Sequence, residues 1–202
     1  MYNLLYYLFY AFFKLFFRLE IIGANNLPRK GGVIIAANHV SLWDPPVLGT
    51  AIAGVRQPIH FMAKQELFSP KFFGYILKKL YTFPVRRGMA DRNAIRTAIG
   101  LLEAGKVVAL FPEGTRSKTG KLGPAQPGVA MIALKAGVPI VPAAIVGTNR
   151  IGKPPFWLPK LRVIFGQPIT IPAGEADKNT IETVSQQTMA AIAALLNTGQ
   201  KI

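Results

Sequence analysis

The chain has 202 residues, 50% of them hydrophobic, with 24 Lys plus Arg against 9 Asp plus Glu and a formal net charge of +15. That length supports one sizeable core and leaves too little for two, and the greasy composition, free of low-complexity tracts, excludes disorder over most of the chain. The absence of Cys excludes a disulfide framework, a thiolate metal site and a cysteine nucleophile, and His39 and His60 are too few for a multi-histidine metal site, so no metal is expected.

The first element, in residues 2–19, reads YNLLYYLFYAFFKLFFRL, apolar and aromatic except at Asn3, Lys14 and Arg18. As a helix it measures roughly 27 Å, a little short of a hydrocarbon core of about 30 Å, so spanning is marginal. Lys14 and Arg18, four residues apart, would share a helical face, and Tyr2, Tyr6, Tyr7 and Tyr10 suit the headgroup layer. The expectation is a membrane-associated helix over 1–22, dipped into one leaflet with its basic end at the phosphates, ahead of a domain over 23–202. An ordinary core helix is the competing reading, but it needs fewer large aromatics and usually shows a polar face. A signal peptide is disfavoured, because no basic cluster begins the chain and no small-residue cleavage pattern precedes the fold.

Beyond it, GVIIAANH (32–39), IHFMA (59–63), YTFPV (81–85), VVALFP (107–112), PIVPAAIV (139–146) and LRVIFG (161–166) read as short buried strands punctuated by Gly or Pro. Helical patterns lie between them at about 64–80, 91–106, 127–136 and 178–196. The clearest starts at Asp91 as N-cap, places Ile95, Ala98, Ile99 and Leu102 on one face, and stops at Gly105. Alternating strands and helices predict an α/β domain, a mixed, mostly parallel sheet flanked by helices, with functional residues where strands end in loops. The loop IGKPPFWLPK (151–160) offers Phe156 and Trp157 either to a membrane or to the core.

Three strand ends carry polar, titratable residues. In NHVSLWD (38–44) His39 and Asp44 are five positions apart and would not share a helical face, but they meet if the chain turns between them, as Pro45-Pro46 favours. The carboxylate then fixes one ring nitrogen and leaves the other as a base. Alternatively Asp44 merely caps a helix starting at Pro45, and His39 is a core histidine. Ser41 lacks a nucleophile-elbow context and reads as a turn residue. FPEGTRS (111–117) places Glu113, Gly114 and Arg116 after a proline stop. Gly lets backbone amides approach a ligand and Arg suits a phosphate, while Glu113 either orients Arg116 or meets a substrate hydroxyl. FPVRRG (83–88) offers two adjacent arginines, of which alternation sends one toward a site.

Together these segments, with VPIVPAAIVG (138–147), resemble in order the four blocks of the glycerolipid acyltransferase family, typified by the 1-acyl-sn-glycerol-3-phosphate acyltransferases. The resemblance covers residues 38–147. It implies that His39 is a general base oriented by Asp44, and that Glu113, Gly114, Thr115 and Arg116 help bind the acceptor. The second-block arginine falls on Arg87, with Arg86 adjacent. The implied reaction moves an acyl group from acyl-CoA or acyl-acyl carrier protein to the sn-2 hydroxyl of lysophosphatidic acid, giving phosphatidic acid, with no bound cofactor. A different lysophospholipid or an aminolipid acceptor, a hydrolase using the same pair, and a non-catalytic basic membrane-binding protein are the alternatives. The charge favours anionic partners, and an anionic membrane surface fits better than nucleic acid, since the aromatics cluster at the N-terminus and do not interleave with basic residues. The expected location is the cytoplasmic face of an inner or plasma membrane.

Overall fold

Alternation along the strands builds the architecture. Val33, Ile35 and Ala37 belong to one hydrophobic cluster and Ile34 and Ala36 to a second, as a sheet covered on both faces requires. The computed structural model describes residues 2–56, 58–86, 91–154, 157–171 and 176–201. In chain order it contains α1 (Tyr2–Phe17), β1 (Glu20–Ile22), β2 (Val33–Ala37), α2 (Asp44–Ala53), β3 (Ile59–Lys64), α3 (Lys71–Lys79), β4 (Thr82–Val85), α4 (Arg92–Glu103), β5 (Val107–Leu110), α5 (Gly128–Ala136), β6 (Ile140–Val146), β7 (Arg162–Phe165) and α6 (Lys178–Lys201).

The strands form one sheet in the order β1-β7-β6-β2-β5-β3-β4. Every pairing is parallel except β6 with β7, so the expected mixed, mostly parallel sheet is present. Pro84 sits in β4 at the sheet edge, where its missing N–H breaks no ladder. The central strand β2, flanked by β5 and β6, is fully buried.

One face of the sheet carries α1 and α2, whose Phe13, Phe17, Val47, Leu48 and Ile52 join the first cluster. The other carries α4, α5 and α6, contributing among others Ala98, Leu102, Ala133, Val184 and Ile192. Small residues set the spacing on this side: a Cβ on Gly32 would lie 2.2 Å from the Leu102 carbonyl oxygen, so only glycine lets α4 end against the start of β2. Asp91 caps α4 as expected, accepting from Asn93 and Ala94 N–H at 3.1 and 3.2 Å. These backbone donors and that of Arg86 hold its carboxyl below the usual range, the Arg86 N–H contributing most.

Two local expectations change. The helix expected over 64–80 is a 3-10 turn, Gln65–Phe68, followed by α3, because Pro70 is extended (ψ 112°) and offers no N–H to continue the helix. Arg18 does not share a helical face with Lys14: α1 stops at Phe17 and Arg18 takes the left-handed φ of 50°. The helix α1 itself presents two faces. Phe13 and Phe17 are buried, whereas Leu4, Tyr7, Leu8, Leu15 and Phe16 are exposed, and no described helix is long and apolar enough to cross a membrane. Trp157 is exposed, while Phe156 lies outside the described residues.

Candidate active site at the C-terminal edge of the sheet

β2 delivers its last residues to a point where polar groups converge. Asn38 extends the ladder with its side chain: Nδ2 donates to the Ile145 carbonyl at 3.0 Å and Oδ1 accepts from the Ile145 N–H at 2.7 Å. This two-pronged bond locks the ends of β2 and β6 together, and so fixes Thr148, just past β6, relative to the loop after β2.

That loop turns back on itself, with the Asp44 N–H donating to the Ser41 carbonyl at 3.3 Å. The turn places Asp44 Oδ2 2.8 Å from His39 Nδ1. The same oxygen accepts from the Val40 and Ser41 N–H groups at 2.6 and 2.7 Å, and Oδ1 accepts from Thr148 Oγ1 at 2.6 Å. Asp44 is 0% exposed. These donors offset the cost of taking a carboxylate out of water. The capping alternative does not describe it, because no side chain caps α2 and the Asp44 carboxylate faces backward onto the loop.

A carboxylate only accepts, so His39 Nδ1 donates, and in the neutral imidazole the lone pair is then on Nε2. The imidazole is nearly parallel to the Phe111 ring, with centroids 4.0 Å apart, and is 7% exposed. Its orientation is thus fixed by a hydrogen bond at one edge and a ring against one face. Ser41 is a turn residue here: its Oγ accepts from the Trp43 N–H at 3.2 Å.

The FPEGTRS loop is stapled to the same peptide. Glu113 Oε1 accepts from the His39 N–H at 2.7 Å, and the Ser117 N–H donates to the His39 carbonyl at 2.8 Å. The other Glu113 oxygen accepts from the Gly123 N–H at 2.9 Å. Glu113, 6% exposed, therefore binds backbone amides, and no hydrogen bond joins it to Arg116 among the described residues. Between the two staples Gly114, Thr115 and Arg116 form an exposed arch beside His39. Gly114 turns the arch with φ 68°, a conformation costly for other residues.

Of the second-block arginines, one lies among the described residues. Arg86 donates its N–H to Asp91 Oδ2 at 2.8 Å with its guanidinium exposed, and Arg87 lies outside the described residues. Among the described residues no group of three or more His, Cys, Asp or Glu gathers as a metal site.

Two concavities flank this centre. On the β3 and β4 side an apolar cavity of about 350 Å³ is lined by residues including Pro45, Gly49, Phe61, Met62, Ile76 and Phe111. Phe111 is shared between the cavity wall and the His39 ring. On the β6 and β7 side lies a more polar groove of about 580 Å³. Sequence reasoning missed Thr148, whose role arises only when β6 docks beside β2; no spacing signal links residues 44 and 148.

The family model for Acyltransferase matches residues 18–146. A 1-acyl-sn-glycerol-3-phosphate acyltransferase of Bacillus subtilis is 38% identical over 151 residues, covering 75% of this chain and 73% of that protein. One of Streptococcus pneumoniae is 31% identical, covering 81% of this chain and 60% of its own length, and one of Pseudomonas aeruginosa is 32% identical, covering 63% and 49%. The crystal structure of the 1-acyl-sn-glycerophosphate acyltransferase of Thermotoga maritima superposes with a TM-score of 0.76 at 26% identity, covering 98% of this chain and 79% of that one.

Proposed function

The chain belongs to the acyltransferase family, and from that premise we propose that it transfers an acyl group from a thioester donor to the sn-2 hydroxyl of 1-acyl-glycerol-3-phosphate at a membrane surface. The observation that carries this reading is the buried His39 Nδ1 to Asp44 Oδ2 bond of 2.8 Å. His39 Nε2 takes the proton of the acceptor hydroxyl, and the oxygen attacks the thioester carbonyl carbon. The C–S bond breaks as the tetrahedral intermediate collapses, and the departing thiolate recovers the proton from His39, so base and acid are one residue.

Arg116 on the exposed arch, with Arg87, binds the acceptor phosphate, and Gly114 and Thr115 shape the same approach. Glu113 contributes by holding the arch against His39, as its bonds to the His39 and Gly123 amides support. The apolar cavity takes an acyl chain: its volume is in the range of ligand sites, and its Phe111 wall borders the base. The donor is a thioester of coenzyme A or of carrier protein. The exposed apolar residues of α1, with exposed Leu42 and Trp43 on the loop after β2, rest in the outer part of one leaflet, so the acceptor is met without leaving the membrane. The site then works from the leaflet facing the cytoplasm.

The test is acyl transfer to lysophosphatidic acid in detergent micelles, using labelled coenzyme A and carrier-protein thioesters. Wild type should form phosphatidic acid and His39→Ala should form at least about 10²-fold less. Equal product from both proteins would remove His39 from its role, and product only with other lysolipids would move the acceptor assignment.

A further inference from the structure

The apolar cavity and the arch account for an acyl chain and an acceptor phosphate, but not for the polar groove on the other side of His39. It begins at Asn38 and Val40, the two neighbours of His39, and its wall also carries Arg18, Arg150, Lys160 and Arg162. Lys160 and Arg162 share one carboxylate, Glu20, whose pKa is lowered first by the Lys160 bond and then by Arg162. Arg18 and Arg150 are exposed, and neither has an ion-pair partner among the described residues. Arg18 also holds the left-handed φ of 50°, which is uncommon for a residue other than glycine. A patch with more cations than carboxylates, beside the proposed base, suits an anion.

We propose that this groove binds the phosphopantetheine arm of the thioester donor, with Arg18 and Arg150 on its phosphate. The inference rests on the acyl-transfer reading above. Sheet order supplies the length argument. From β2, which carries Asn38, the sheet continues to β6, β7 and β1, and Arg18 lies just before β1. β7 runs antiparallel to β6 and β1 runs parallel to β7, so the starts of β1 and β7 lie at the same sheet edge as the end of β2. Three strand spacings set Arg18 roughly 14 Å from β2. The acceptor phosphate is only a few bonds from its reacting hydroxyl and does not reach that far while the hydroxyl sits at His39. The pantetheine chain separates its thioester from its phosphate by a long flexible arm, and its amides suit a groove more polar than the acyl cavity, with the Asn149 side chain among its lining residues. Because coenzyme A and carrier protein share this arm, one groove serves both donors.

The experiment compares wild type with the double variant Arg18→Gly/Arg150→Gln, in which glycine keeps the left-handed backbone while removing the charge. Two short donors are used, acyl-pantetheine 4′-phosphate and acyl-pantetheine, with lysophosphatidate as acceptor. Wild type should show a KM at least about tenfold lower for the phosphorylated donor, as charge-assisted bonds to a phosphate imply. The double variant should lose that preference while its KM for lysophosphatidate and its kcat stay unchanged. A raised lysophosphatidate KM with the donor preference intact would assign the groove to the acceptor, and unchanged constants for both substrates would leave it no substrate role; either result overturns the proposal. Calorimetric titration with coenzyme A and with pantetheine 4′-phosphate, which needs no turnover, separates the two readings. If wild type transfers no acyl group but binds these ligands and the double variant does not, the acyl-transfer reading fails and the groove stands. If the two proteins bind them equally, the groove fails.

Discussion

α2 carries a charged hub at each end, and the two hubs differ in what they hold. At its start Asp44 gathers two loop amides, the Thr148 hydroxyl and the His39 ring. Just past its end the Arg56 guanidinium donates to the carbonyls of Pro28, Gly31 and Gly105 at 2.7–3.0 Å. Gly31 and Gly105 precede β2 and β5, so Arg56 closes the N-terminal edge of the sheet as Asp44 closes the C-terminal edge. Both satisfy backbone polar groups, buried or part-buried around Asp44 and part-buried or exposed around Arg56, but only Asp44 also touches an imidazole. A charge that ends on backbone orders the chain; a charge that ends on an imidazole also sets its tautomer and orientation.

The sharpest way to break this contrast is to neutralise each hub. Asp44→Asn keeps an acceptor toward Val40, Ser41 and His39 and presents an amide to Thr148 Oγ1, which can accept in place of donating. The fold should survive while kcat falls by about 10²–10⁴-fold, measured in the micellar transfer assay alongside thermal unfolding. Arg56→Met should do the reverse. Water replaces the donor at these exposed or part-buried carbonyls, so the loss is about 1–2 kcal/mol, or roughly 4 °C in Tm. Its kcat at a temperature where both proteins are folded should match wild type. A stable but inactive Arg56→Met would show that the two ends of α2 are coupled and that the division drawn between them is wrong.

The two hubs were not equally legible. The six strands read from apolar runs are all present, because a doubly covered sheet needs continuous apolar residues and Gly or Pro mark its ends. β1, Glu20–Ile22, was missed because three residues carry no periodicity. His39 and Asp44 could be paired from a five-residue spacing and a following proline pair. The Asn38 bond to Ile145 and the Thr148 bond to Asp44 span more than a hundred residues and exist only once β6 lies beside β2. Arg56 gave no signal, since a lone arginine after a helix looks like any solvated cation until the carbonyls around it are placed.

A smaller cut tests how far Asp44 depends on its long-range partner. Thr148→Val removes the donor to Asp44 Oδ1 while keeping the branched shape. Removing one partner of a buried hydrogen bond costs about 1–3 kcal/mol. The catalytic effect should be milder, about tenfold in kcat, because His39, Val40 and Ser41 still hold the other oxygen. Thr148→Ser should restore most of the lost rate, a rescue that loss of packing alone does not predict.

The least effect, and the finest comparison, concerns the chain's two histidines. His39 faces a carboxylate, whereas His60 in β3 has its Nδ1 3.3 Å from the Val107 carbonyl and its ring against Tyr81 at 5.4 Å between centroids. Burial lowers the His60 pKa below its ordinary value; the Val107 carbonyl opposes that shift and Lys106 adds to it. The folded protein therefore releases the His60 proton at a lower pH than the unfolded chain does. Above the unfolded value, about 6.5, both states are neutral at this site. As the pH falls from there toward the folded value, the unfolded chain binds a proton that the folded one refuses, so stability declines across that interval and levels off below it. Urea midpoints measured from pH 7.5 to 5.5 should therefore fall more steeply for wild type than for His60→Phe, every other group being common to both and cancelling in the difference. Parallel curves would mean that the carbonyl at this edge stabilises the imidazolium as well as burial disfavours it, and the contrast between the two ends of the sheet would then reduce to the presence or absence of a carboxylate.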